Sequence, residues 1–336
     1  MEQQTETVDP NLNAEAYRNL TLANNLLHDK QLEVVIVHRD DSLVLGASNM
    51  VDRYWYGTLW YFSEPVGFDR NSYSAATRTE SGVRDAVFLG KHDKFFVGED
   101  SGLVQIYEVT LNTDTKAKDL QFTGYSCQHD DSVTSIAAFY DNTHTVSGGM
   151  DCNIKIWDTT EMITTLSFNQ AQTNVITGIA AQFESDTVFV STSLDSEALL
   201  WDIRDPKPAT GLWEKQDCGL TAVSWKPNDQ NVLALGAEDG SVIILDIRHI
   251  GPNPIHESVQ FPRGVRKLLF NTVNPTQLAG CCDSTEVKVL NVKEDNVEVI
   301  FENNAHSDFV RGLAWHQNDL ITCSWDNTVL RHSIVS

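Results

Sequence analysis

From Val34 onward, short apolar runs alternate with turns rich in Gly, Asp and Asn, and helical spacing is nearly absent. One pattern recurs. An apolar run holding a small residue leads into a turn with Asp or Glu. A second apolar run then ends in an aromatic or Leu. It reads VSGGMDCNIKIWDT at Val146 to Thr159, VSTSLDSEALLWDI at Val190 to Ile203 and LGAEDGSVIILDI at Leu235 to Ile247. Weaker copies begin at Phe96, Ala279 and Ile321, and a divergent one runs from Leu43 to Phe62.

The position that ends the second run is held by Trp60, Tyr107, Trp157, Trp201, Leu245, Leu290 and His332. Successive spacings are 47, 50, 44, 44, 45 and 42 residues. Seven units at this period predict an all-β fold, a seven-bladed WD-repeat β-propeller of four-stranded sheets. Neighbouring blades would bury each other's apolar faces, and closing the ring would protect most edges. The seventh copy stops soon after its third strand. We therefore expect part of Ala14 to Leu27 to supply that blade's outer strand. Residues 1–30 would form an N-terminal segment, and residues 31–336 the propeller.

Composition agrees with a folded core, since 41% of the 336 residues are hydrophobic and 21% charged. Lys and Arg number 24 against 47 Asp and Glu, a net charge of −23. Such a surface disfavours direct nucleic-acid binding, which needs cations for the phosphates, and favours basic partners. The six cysteines show neither zinc spacing nor a disulfide framework, and a reduced state is expected. The acidic N-terminus lacks the apolar core of a secretory signal, and no apolar run reaches the roughly 20 residues of a membrane span. These features predict a cytoplasmic and nuclear protein with no membrane contact.

His129, Ser147, Asp151 and Trp157 have the offsets of a WD structural tetrad: His before the inner strand, Ser on the next, Asp in the turn and Trp on the third. Trp only donates, Ser donates and accepts, and Asp accepts, so a relay across the blade can be satisfied. A hydrolytic Ser-His-Asp reading lacks support, because no nucleophile elbow frames Ser147 and the offsets partly recur elsewhere. His306, Thr322 and Asp326 echo the tetrad, with His332 in the Trp position. Paired acids such as Glu99-Asp100 read as solvated turns. No phosphate loop, metal-ligand spacing or cofactor motif occurs. The expectation is a non-enzyme, an interaction platform with neither metal nor cofactor.

The first copy departs from the others. Its small residue, Gly46, lies fourteen positions before Trp60, whereas Ser147 lies ten before Trp157. About four extra residues make Asn49 to Tyr56 a long loop carrying Arg53, Tyr54, Trp55 and Tyr56. Trp, Tyr and Arg dominate interface hot spots, so Trp55, Arg53 and Tyr54 form a candidate partner-binding site. Asp100, in the matching turn of the next blade, is a fourth member. The alternative is that Trp55 packs back onto its own propeller.

Several segments resemble the methylosome WD-repeat protein family, also called the methylosome protein 50 family. They are LVLGASNMVDRYWYGTLWYF (Leu43 to Phe62), TESGVRDAVFLG (Thr79 to Gly90), EDSGLVQIYEV (Glu99 to Val109), WDIRDPKPA (Trp201 to Ala209) and AHSDFVRGLAW (Ala305 to Trp315). The resemblance implies a seven-bladed, non-catalytic adaptor for the type II protein arginine methyltransferase, which makes symmetric dimethylarginine. It further implies that a first-blade Trp, matched here by Trp55 beside Arg53, inserts into the methyltransferase's N-terminal barrel domain, with Asp100 a weaker match. Substrates would be arginine-rich histones and spliceosomal Sm proteins, within a larger hetero-oligomer. A second reading is a substrate receptor of a cullin-RING ubiquitin ligase. Trp201-Asp202-Ile203-Arg204 and Leu245-Asp246-Ile247-Arg248 both fit the W-D-x-R type of sequence for that role.

Overall fold

The computed structural model describes residues 31–51, 54–64, 72–113, 116–205, 207, 210–249, 254–293 and 296–334. Every regular element among them is a strand, and no helix is long and apolar enough to cross a membrane. The strands form seven antiparallel sheets, six of four strands and one of three, each in simple sequential order. Blade one runs from Leu32–Val37 to Ala75–Thr79 and blade two from Val83–Phe88 to Lys118–Cys127. Blade three spans Val133–Ala138 to Ile163–Phe168, and blade four Ile176–Ala181 to Thr210–Glu214. Blade five spans Leu220–Trp225 to His256–Val259, and blade six Val265–Phe270 to Val297–Asn303. Blade seven contributes Val310–His316, Asp319–Ser324 and Val329–Ser333. The expected outer strand from Ala14 to Leu27 lies outside the described residues.

Alternation along each strand sends successive side chains to opposite neighbours. In blade one, Leu59 and Tyr61 join the core shared with blade two, while Trp60 and Phe62 join the core shared with blade seven. The same division gives one apolar cluster at each of the seven junctions. At the junction of blades seven and one, Leu32, Leu45 and Trp60 pack with Ile321 and Cys323. Two polar links reinforce it: Trp325 Nε1 donates to Glu33 Oε1 at 2.9 Å, and His316 Nε2 lies 2.7 Å from Asp41 Oδ1. The six thiols are free, and Cys281, Cys282 and Cys323 are buried.

Every inner strand carries a bulge at its second residue. The ladder register skips Glu33, Arg84, Thr134, Thr177, Thr221, Arg266 and Arg311 in blades one to seven. A bulged residue leaves the pairing pattern and re-aims its side chain. All seven line the central channel, a cavity of about 350 Å³.

Candidate interaction surface

The first-blade insertion is a strand extension rather than the expected loop. Leu43–Val51 and Tyr54–Phe62 stay paired to their ends, through Asn49↔Tyr56, Met50↔Trp55 and Val51↔Tyr54. In blade three the corresponding ladder stops at Gly148↔Ile154, the level of Ser48↔Gly57. The three added pairs lengthen the hairpin by roughly 10 Å at strand rise. The reason is local. Val, Tyr and Trp favour the pleated, half-buried surface of a strand, so extra residues of this kind zip together.

Alternation puts Trp55 on the same face as Leu59 and Tyr61, the side toward blade two. Trp55 is 57% exposed. Below it, Gly57 lets another chain segment pass. A Cβ there would meet Thr79 Oγ1 at 2.3 Å, the Ser81 carbonyl at 2.6 Å and the Ala47 carbonyl at 2.9 Å. On the opposite face, the Arg78 guanidinium lies 4.6 Å from the centre of the Tyr56 ring. Arg53 lies outside the described residues, and the Tyr54 backbone lies in the strand. Between the outer strands of blades one and two is a groove of about 960 Å³, lined by Arg78, Glu80, Tyr107, Phe122 and Tyr125 among others. Phe122 and Tyr125 are exposed, with ring centres 6.1 Å apart. The sequence reading did not single them out, although each stands among polar neighbours on the outermost strand of its blade.

Asp100 sits in the matching turn of blade two but faces the channel rim. Its Oδ1 accepts from Ser132 Oγ at 2.9 Å and lies 3.7 Å from Arg84 Nε. Glu99 departs from the solvated turn expected of it. It ends the strand Lys94–Glu99, is fully buried, and its Oε2 accepts from Ser81 N and Ser81 Oγ. Burial raises its carboxyl to about 7, against the lowering effect of the Ser81 bonds.

His129, Ser147, Asp151 and Trp157 are brought together inside blade three. Trp157 Nε1 donates to Ser147 Oγ at 2.8 Å. His129 Nε2 lies 2.8 Å from the same oxygen, and its Nδ1 lies 3.0 Å from Asp151 Oδ2. Because an indole can only donate, Ser147 accepts from it and gives its own proton to His129 Nε2. His129 then carries its proton on Nδ1 and donates to Asp151. Burial raises the Asp151 pKa, but the His129 hydrogen bond, with those of the Asp130 and Asn153 amides, more than offsets this and holds it at about 2. The contacts match a catalytic triad in order, yet Ser147 is fully buried and its oxygen is occupied by an indole. No substrate atom can reach it, so the relay braces the blade.

Two variants of the relay follow. In blade four, Trp201 Nε1 donates to Ser191 Oγ at 2.8 Å, Ser191 donates to Gln172 Oε1 at 2.7 Å, and Gln172 Nε2 donates to Asp195 Oδ1 at 3.2 Å. Here an amide does the work of the imidazole, which the sequence reading missed. In blade seven, Thr322 Oγ1 lies 2.7 Å from His306 Nε2, and His306 Nδ1 lies 3.1 Å from Asp326.

The W-D-x-R arginines fold onto their own motifs. Arg204 Nε donates to Asp202 Oδ1 at 2.9 Å, and Arg248 Nε donates to Asp246 Oδ1 at the same distance. These forks close the turns after their strands.

Seven stacked sheets with buried relays define a WD-repeat propeller. Residues 121–158 and 298–330 match the model of the WD domain, G-beta repeat. The chain is 32% identical over 311 residues to Methylosome protein WDR77 of Xenopus laevis, across 91% of this chain and 90% of that protein. It belongs to the methylosome WD-repeat protein family. It is also 25% identical over 347 residues to Protein valois of Drosophila melanogaster, across 97% and 92% of the two chains. A chain of the COPII outer coat vertex on membranes superposes with a TM-score of 0.78 at 18% identity, covering 92% of this chain and 85% of that one. At that identity the likeness concerns the fold alone.

Proposed function

We propose that this chain is the adaptor subunit that binds a type II protein arginine methyltransferase and helps present arginine-rich substrates, such as histones and Sm proteins, in the cytoplasm and nucleus. The observation that carries the reading is Trp55, 57% exposed on a hairpin extended past the level at which the blade-three ladder ends. A large indole held out on a paired two-strand arm loses little freedom on docking, the property of an interface anchor. Arg53 and Tyr54 precede it in sequence and are proposed as further contacts, with Asp100 in the matching turn of blade two as a secondary one. The net charge of −23 supports attraction of basic substrates, an attraction that salt screens.

The test is calorimetric titration of the full chain with the methyltransferase. Trp55→Ala is expected to weaken binding by about 2 kcal/mol or more while leaving the melting temperature unchanged. Unchanged affinity would remove Trp55 as the anchor. Recovery of a ubiquitin-ligase adaptor in place of a methyltransferase on affinity purification would overturn the assignment of partner.

A further inference from the structure

The central channel carries cations that the adaptor reading does not use. Of the seven bulged residues at one level of its wall, three are arginines (Arg84, Arg266 and Arg311) and one is an acid, Glu33. Glu33 already accepts from Trp325 Nε1, and it lies 4.0 Å from Arg84 Nη1. Arg311 is held rigidly. Its guanidinium lies 4.3 Å from the centre of the Trp325 ring, and Nη1 donates to Asp283 Oδ1 at 2.9 Å. Arg266 has no hydrogen-bond or ion-pair partner among the described residues. Burial first, and then the like charge of Arg266, lower the Arg311 pKa.

Donors without acceptors gather at this level. Arg84 Nε, Arg311 Nε and Thr221 Oγ1 are all buried and lack a hydrogen-bond partner. The two neighbouring threonines are satisfied: Thr134 Oγ1 has the carbonyls of Ile176 and Gly148 as acceptors for its one proton, and Thr177 Oγ1 donates to that of Leu220. An unmet buried donor costs about 1–3 kcal/mol; Arg84 Nε has Asp100 Oδ1 at ion-pair distance, 3.7 Å, so Arg311 Nε and Thr221 Oγ1, beside the unpaired Arg266 guanidinium, make the standing cost that a ligand would relieve. Arg84, Thr221 and Arg266 also line an adjoining cavity of about 310 Å³ toward the rim, so the level is open to entry.

We propose that the channel seats one phosphate-type oxyanion between Arg84, Arg266 and Arg311, with Thr221 as a fourth donor. Guanidinium forks match the several acceptor oxygens of such a group. The rim acids Asp100 and Asp283 and the acidic surface oppose its approach. A bare ion therefore binds weakly, and a phosphate borne on a basic polypeptide segment is delivered better.

The experiment titrates the full chain with inorganic phosphate, followed by phosphorus NMR, and with a basic phosphoserine peptide, followed by calorimetry. One saturable site is expected. Arg266→Gln should lower affinity at least tenfold, and the exposed control Arg263→Gln should leave it unchanged. Thr221→Val keeps every charge and should weaken binding several-fold, so it decides the matter if the arginine variant fails to fold. Tighter binding of the phosphopeptide identifies an esterified phosphate as the natural source, and equal binding identifies the free ion. Absence of saturable binding by either probe, or binding indifferent to both channel substitutions, overturns the site.

Discussion

His332 Nε2 lies 3.0 Å from Thr322 Oγ1, the relation that Trp157 bears to Ser147 in blade three. An imidazole can stand in for an indole there only with a proton on Nε2, and burial favours the neutral ring. Burial, followed by the nearby His306, pushes its pKa from 6.5 down to about 4. In the unfolded chain the ring takes up a proton near 6.5, before the folded chain does. Its contribution to stability is therefore complete above that pH and is lost as pH falls toward 4. Replacing it with a non-titrating donor, His332→Trp, should flatten the melting temperature between these limits. Melting curves as acid-sensitive as those of the parent would discharge His332 from this role.

Glu99 gives the opposite slope. Its unfolded carboxyl ionises near 4.5 and its folded one near 7, so stability falls as pH rises across that interval, by at most about 1.4 kcal/mol per pH unit. Above 7 the loss is complete. Glu99→Gln keeps an acceptor for Ser81 and removes the proton, so it should be the more stable chain at pH 8. Chemical denaturation at pH 5 and pH 8 measures the difference; equal gaps at both would show that Glu99 ionises freely. The two slopes overlap, so each substitution must be compared with its own parent curve.

The amide relay of blade four should be as structural as the imidazole one. Gln172→Ala would strand the proton of the buried Ser191 hydroxyl, while Asp195 Oδ1 keeps its bond from Glu197 N, at a cost of about 1–3 kcal/mol. Gln172→His should recover most of that. Denaturant midpoints for the two variants check it, and a harmless alanine would show that the amide is not needed.

Gly57 sets the base of the protruding hairpin. Gly57→Ala drives a methyl against two carbonyls and a hydroxyl, which should cost about 1–3 kcal/mol and speed amide exchange in Asn49 to Tyr56. Unaltered exchange there would mean that the hairpin tolerates a wider base.

Much of the fold is legible in the sequence. The even spacing from Trp60 to His332 carries the seven blades, because each blade must place one large group at the same depth. His129, Ser147, Asp151 and Trp157 were legible for the same reason. Gln172 was hidden by its residue type, although Ser191 stands ten positions before Trp201 just as Ser147 does before Trp157. The first-blade insertion was correctly located but misread as a loop, since length alone does not distinguish an open turn from strands that keep pairing. Glu99 was misread because EDSG resembles a wet turn. Only the packing of Ser81 over its carboxyl takes it out of water. The exposed Phe122 and Tyr125 gave no periodic signal, because an outer strand has no further sheet to pattern against.

The skipped residues of the inner strands differ in how firmly they are tied to the walls. Glu33, Arg311, Thr134 and Thr177 are bonded into neighbouring blades, whereas Thr221 and Arg266 are not, so charge at those two points of the axis can change without disturbing the walls. Evolution, or a protein engineer, can therefore retune the lumen of this molecule at those two spokes while the wheel keeps its form.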